Sequence, residues 1–134
     1  MLWLGNRLAL SYSASRAIVQ AQARRNFYVS PISAWEIGAA ATKKNVANRP
    51  PLNGLTPDVW FALNLVKLRL KLAPLTPQIA VETARLPALY GSGDPGDCFL
   101  LATAHIRKLT LITRDARILS FAKSIPDYLS VIQC

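Results

Sequence analysis

Four times along this chain an oxygen-bearing side chain stands directly before a proline: Ser30-Pro31, Thr56-Pro57, Thr76-Pro77 and Asp94-Pro95. Proline holds φ near the helical value and lacks the N–H that a first helical residue leaves unbonded, while the oxygen before it can accept from an N–H further in. Each pair therefore predicts the start of a helix. A further helix is expected over residues 13–25, with Ile18 and Ala21 on its inner face, and a short one after Asp115 through Ile118 and Phe121.

Between the helix starts lie short β-type runs at residues 27–29, 69–73, 110–113 and 129–132. Helices alternating with strands predict an α/β domain with a mainly parallel sheet, whose functional residues gather where strands end and helices begin. Residues 66–72 alternate apolar and basic, so they fit either an edge strand with one positive face or a helix end running into a strand. Residues 43–54, with three asparagines and two prolines, read as a loop. There is no internal repeat.

With 134 residues, 51% of them hydrophobic, the chain can bury one core, and a single domain over 1–134 is the expectation. That apolar content excludes disorder, and glycines and prolines without a period exclude collagen-like classes. A net charge of +9 points to a polyanionic partner, with simple solubility as the plain alternative. Two cysteines make no disulfide framework, so a reducing, cytoplasmic setting is expected. One histidine excludes a His-rich zinc site. No apolar run reaches the roughly 18–20 residues of a membrane span, and residues 1–10 lack the basic start of a signal peptide.

Only seven side chains are acidic, and four of them stand near strand ends or helix starts: Glu36, Asp94, Asp97 and Asp115. Carboxylates from three elements meeting at one edge repel one another unless a cation or protons intervene, which is the logic of a Mg²⁺ or Mn²⁺ site acting on a phosphodiester. Each acid also has a structural explanation. Ser33-x-x-Glu36 matches a capping box, Asp94 can cap a helix with Asp97 in its first turn, and Asp115 can cap the last helix. A literal G-x-G-x-x-G occurs from Gly91 to Gly96, but the residues before it look helical, and Asp94 and Asp97 would face a pyrophosphate with like charge.

Taken together, the blocks Val29-Ser30-Pro31-Ile32-Ser33-Ala34-Trp35-Glu36-Ile37, Leu75-Thr76-Pro77, Gly93-Asp94-Pro95-Gly96-Asp97 and Leu109-Thr110-Leu111-Ile112-Thr113-Arg114-Asp115 resemble the PIN-domain family. Within it they resemble the VapC-type toxins of bacterial toxin-antitoxin pairs. The resemblance implies a three-layer α/β/α sandwich and a Mg²⁺- or Mn²⁺-dependent endoribonuclease. Glu36, Asp97 and Asp115 match the family's catalytic, metal-holding acids; Asp94 falls on an accessory position, and Thr113 and Ser33 match polar residues lining the site. Implied partners are an RNA substrate, a VapB-type antitoxin whose arginine would face the three acids near Trp35, and a second copy in a homodimer.

Two departures bear on activity. The family ordinarily begins with an apolar strand ending in Asp-Thr, whose aspartate is the first metal ligand, whereas this chain opens at Met1-Leu2-Trp3-Leu4, which resembles the helix after that strand. The expectation is an N-terminally truncated domain, with a few upstream residues missing or, alternatively, a crippled protein of reduced stability. Cys98 stands where the family commonly has arginine, which leaves the phosphate-facing or helix-capping role of that arginine unfilled. The competing function is a catalytically inactive PIN-like remnant that binds RNA or protein. Arg24, Arg25, Lys43, Lys44, Arg107, Lys108, Arg114 and Arg117 are available to phosphates, and Trp35 and Trp60, at helical spacing, read as core or interface.

Overall fold

A computed structural model describes residues 9–91 and 93–134; the opening Met1-Leu2-Trp3-Leu4 helix expected above lies outside the described residues. The described elements are α1 (Tyr12–Ala23), β1 (Tyr28–Val29), α2 (Pro31–Ala41), a 3-10 turn (Val46–Asn48), α3 (Pro57–Lys67), β2 (Lys71–Leu72), α4 (Pro77–Tyr90), α5 (Pro95–Ile106), β3 (Leu111–Thr113), α6 (Ala116–Ser124) and β4 (Val131–Gln133). The architecture is α/β, as the alternation predicts.

All four proline helices begin where the sequence places them, but their caps differ. Ser30 Oγ accepts from Ile32 N at 3.2 Å, Thr76 Oγ1 from Ile79 N at 3.4 Å, and Asp94 Oδ1 from Gly96 N and Asp97 N at 2.9 and 3.3 Å. Thr56 makes no side-chain bond to a helix N–H. Its hydroxyl turns instead to the carboxylate of Asp58 and holds that group below the usual aspartate range.

The chain divides into two compact units. Within the first, residues 18–73, β1 and β2 pair in parallel with Tyr28 opposite Lys71 and Val29 opposite Leu72. Ile37, Leu52, Trp60 and Phe61 form its buried cluster, flanked by Val29, Ala34, Ala41 and Leu65. The alternating run at 66–72 is a helix end entering a strand: Leu68 N and Leu70 N bond to Asn64 O and Leu65 O, which closes α3 before β2 begins.

Within the second unit, residues 10–17 and 74–134, β3 and β4 pair in parallel with Leu111 opposite Val131 and Thr113 opposite Gln133. Its cluster is larger, with Ile79, Leu86, Cys98, Leu101, Ala102, Ala104, Ile118, Phe121, Ala122 and Leu129 all buried. Among the described residues each unit thus has its own buried cluster. No helix among the described residues is long and apolar enough to cross a membrane.

Candidate active site

Two helix starts in the second unit bring the acids together. Asp97 is the third residue of α5, where the positive end of the helix dipole favours a negative charge. Asp115 follows β3 and caps α6, its Oδ1 accepting from Arg117 N at 2.8 Å and Ile118 N at 3.2 Å. Thr113 Oγ1 accepts from Asp115 N at 3.0 Å, so this threonine fixes the turn from which the carboxylate projects. Asp94 is occupied with capping α5, as its structural explanation requires.

Asp97 is the buried member, with 9% of its surface exposed. Its Oδ2 accepts from the Tyr90 hydroxyl at 3.0 Å and from Arg117 Nη2 at 3.1 Å. The same guanidinium places Nε 3.9 Å from Asp115 Oδ1, so Arg117 lies between the two carboxylates. Burial pushes the Asp97 carboxyl above the ordinary aspartate value; the Tyr90 hydrogen bond pulls it back, the charges of Asp94 and Asp115 push it up, and Arg117 pulls it down. The Tyr90 hydroxyl is raised well above the usual phenol range by burial and by its bond to Asp97. It therefore remains a donor at neutral pH. Its ring sits edge-on to Phe121, with centroids 5.3 Å apart, which fixes the direction of that bond.

Glu36 and Ser33 belong to the first unit. Because Ser30 caps α2, Ser33 is its third residue and Glu36 its sixth. That removes the capping-box explanation of Glu36, which requires the glutamate three residues after the cap. The structure thus brings together Asp94, Asp97, Thr113 and Asp115 in one unit and sets Ser33 and Glu36 one turn apart in the other. Among the described residues no group of three or more His, Cys, Asp or Glu side chains is arranged to hold a metal ion.

The G-x-G-x-x-G pattern is not a dinucleotide loop: helix α4 precedes it, and Gly91, at φ 70°, is the left-handed cap of that helix. Cys98 points into the core at 1% exposure, so the role left open by the absent arginine does not belong to that side chain. Burial and the neighbouring Asp97 and Asp94 charges raise its thiol, which makes it a poor nucleophile. The guanidinium beside the acids comes from Arg117, named above only as one of eight cations. Tyr90 had not been singled out; the signal was its place as the last helical residue before the Gly91 cap, seven positions ahead of Asp97. Trp60 is core and Trp35 is 56% exposed.

A family model described as PIN domain matches residues 7–124. No curated protein and no solved structure matches the chain.

Proposed function

Because the chain belongs to the PIN domain family, whose members are generally nucleases, we propose that it is a Mg²⁺- or Mn²⁺-dependent endoribonuclease of the VapC type, the cytoplasmic toxin of a pair. The observation that carries this reading is the Asp97–Arg117–Asp115 arrangement. Two carboxylates project from two helix starts, one of them buried and raised chiefly by that burial, with a single guanidinium between them.

The residues present fit a hard divalent cation. Mg²⁺ is commonly bound by one or two carboxylates, with waters and substrate phosphates completing its shell, so a full protein cage is not required. Asp97 and Asp115 would hold the ion; Glu36, the third acid the family resemblance implies, and Ser33 belong to the other unit and are tested with them by substitution. When bound, it supplies charge neutralisation at a phosphodiester and activation of a water. Tyr90 donates to one oxygen of Asp97 and so orients the carboxylate. Thr113 holds the backbone of Asp115, and Asp94 keeps the first turn of α5 formed. Arg117 counters the charge of the two acids.

The same arrangement supports a VapB-type antitoxin as partner of the proposed homodimer. Asp97 already accepts a guanidinium at 3.1 Å, so an arginine from a partner segment has a chemical precedent at this carboxylate. In the first unit, exposed Trp35 offers an apolar contact to such a partner. A second reading, a PIN-fold module that binds RNA or protein without cutting, is favoured by the bond of Arg117 to Asp97 and by the lack of a three-ligand group among the described residues. Incubation of the purified chain with RNA in Mg²⁺, Mn²⁺ or excess EDTA separates the two. Cleavage restricted to the metal-containing samples is expected, equal cutting in EDTA sinks the metal mechanism, and no cutting in any sample favours the binding module.

A further inference from the structure

The first unit contains a cleft of about 660 Å³ that the candidate active site does not use. Its walls are the C-terminal end of α1, the C-terminal end of α3 and the start of β2, and Arg25, Arg69 and Lys71 stand on it. Arg25 precedes β1 and Arg69 precedes β2, so the cleft opens at the N-terminal edge of the parallel β1–β2 ladder. Ser30 and helix α2, which carries Glu36, follow β1 at the opposite edge. The cleft is therefore a separate place in this unit.

The cations are held there by the backbone. Arg25 and Arg69 both adopt left-handed conformations, at φ 53°. Each stands just past a helix end closed by the same bond: Asn26 N to Ala21 O and Leu70 N to Leu65 O, both 2.9 Å. Glycine is the residue that this position favours, and the chain has arginine at both. Gln22 Nε2 donates to Leu68 O at 2.8 Å and ties the two helix ends together. The three cations are exposed, and none is paired with an acid among the described residues. Leu65, Val66 and Leu70 supply an apolar lining without an aromatic ring, so the cleft has cations for phosphates and no platform on which bases stack.

We propose that this cleft binds the sugar-phosphate backbone of single-stranded RNA, as a contact separate from the acids and indifferent to base sequence. The proposal rests on RNA being the macromolecule this protein handles, but binding can be read without cleavage. An acidic protein segment is the competing occupant, and the test includes it.

The left-handed backbone makes a clean test possible, because Arg25→Gly and Arg69→Gly place glycine where the chain already asks for it. The triple variant Arg25→Gly, Arg69→Gly, Lys71→Gln is compared with wild type and with Arg16→Gln, Arg85→Gln, Lys123→Gln, which removes the same charge from the other unit. Fluorescence anisotropy of a fluorescein-labelled 12-nucleotide oligouridylate is followed in EDTA across a salt series, and melting temperature is recorded for each protein. The expected result is a cleft variant that melts close to wild type, binds roughly tenfold or more weakly, and loses about 2 from the slope of log affinity against log salt, at about 0.7 per cation. The other triple variant stays near wild type. Equal weakening in both variants, unchanged binding in the cleft variant, no binding by wild type, or displacement only by polyglutamate would each overturn the proposal. Metal-dependent cleavage that survives in the cleft variant would leave the nuclease reading standing, so the two fail separately.

Discussion

Residues 18–73 carry eight lysines and arginines against two acids, Glu36 and Asp58, whereas residues 74–134 carry six against five. Packing runs the other way. The first unit centres on Ile37, Leu52, Trp60 and Phe61, while the second buries a continuous set from Ile79 to Leu129 around α5. The difference follows from what each kind of group needs. A carboxylate taken out of water requires fixed donors, and only a packed surround such as Phe121 against Tyr90 can fix them. Cations on long stems can keep their heads in water and ask only for a backbone that aims them. Unit two is therefore suited to holding acids, and unit one to meeting a polyanion.

The largest effect should come from the acid that packing fixes. Asp97→Asn keeps an acceptor for Tyr90 and Arg117 but removes a metal-binding charge, and RNA cleavage should fall by roughly a hundredfold or more. Asp94→Ala should leave cleavage within a few-fold and cost about 1 kcal/mol of stability, as a lost cap does. The sign of the pH effect follows from the raised Asp97 carboxyl. A carboxyl held above its unfolded value favours folding in its protonated form, so its contribution is full below the unfolded value and is lost as pH rises through the raised value. Denaturation midpoints from pH 4 upward should therefore fall less in Asp97→Asn than in wild type. Full cleavage by Asp97→Asn, together with inactivity of Glu36→Gln, would move the chemistry to the first unit and break the comparison.

The next effect tests packing itself. Leu101 is fully buried at the centre of the second cluster, and Leu52 is 8% exposed in the first. Leu101→Ala should cost about 2–5 kcal/mol, with Leu52→Ala at or below the lower end, because a site nearer solvent relaxes more easily around the lost volume. Urea midpoints of the two variants measure this, and a larger loss at Leu52 would reverse the ranking of the two cores.

Much of this was legible in the chain because it depends on local chemistry. The proline pairs mark helix starts through φ and a missing N–H, and both are properties of two adjacent residues. The acids at Asp97 and Asp115 were visible for the same reason, since each follows a turn that the sequence declares. Legibility failed where the deciding contact spans the fold. Arg117 looks like any cation in a basic chain until α6 sets it beside α5, and Tyr90 looks like an ordinary helix end until its hydroxyl reaches Asp97. The 66–72 run shows the same limit in reverse. Its alternation suits a strand, but the bonds of Leu68 N and Leu70 N belong to the end of α3, and a pattern of side chains does not reveal where backbone donors go. Residue 98 shows it once more, because whether that position faces the acids or the core is decided by how α5 packs.

The smallest effect compares two threonines that the sequence presents as equivalent. Thr56 and Thr76 each stand before a helix-starting proline, one in each unit, and the shared Thr-Pro pair assigns them the same cap. In the structure they part. Thr76 Oγ1 accepts from Ile79 N, at a long 3.4 Å, while Thr56 bonds no helix N–H and turns to exposed Asp58. Replacing a threonine cap by alanine removes an acceptor from an N–H that has no partner within the helix, which costs about 0.5–1 kcal/mol when the bond is weak. Thr76→Ala should show that loss in urea denaturation, and Thr56→Ala should show less, because no helix N–H depends on its hydroxyl. Both variants keep proline at the first helical position, so helix nucleation is common to the pair and cancels in the difference. Equal losses would mean that the threonines act through the backbone conformation they share and not through the hydroxyl, and the contrast between the two helix starts would disappear.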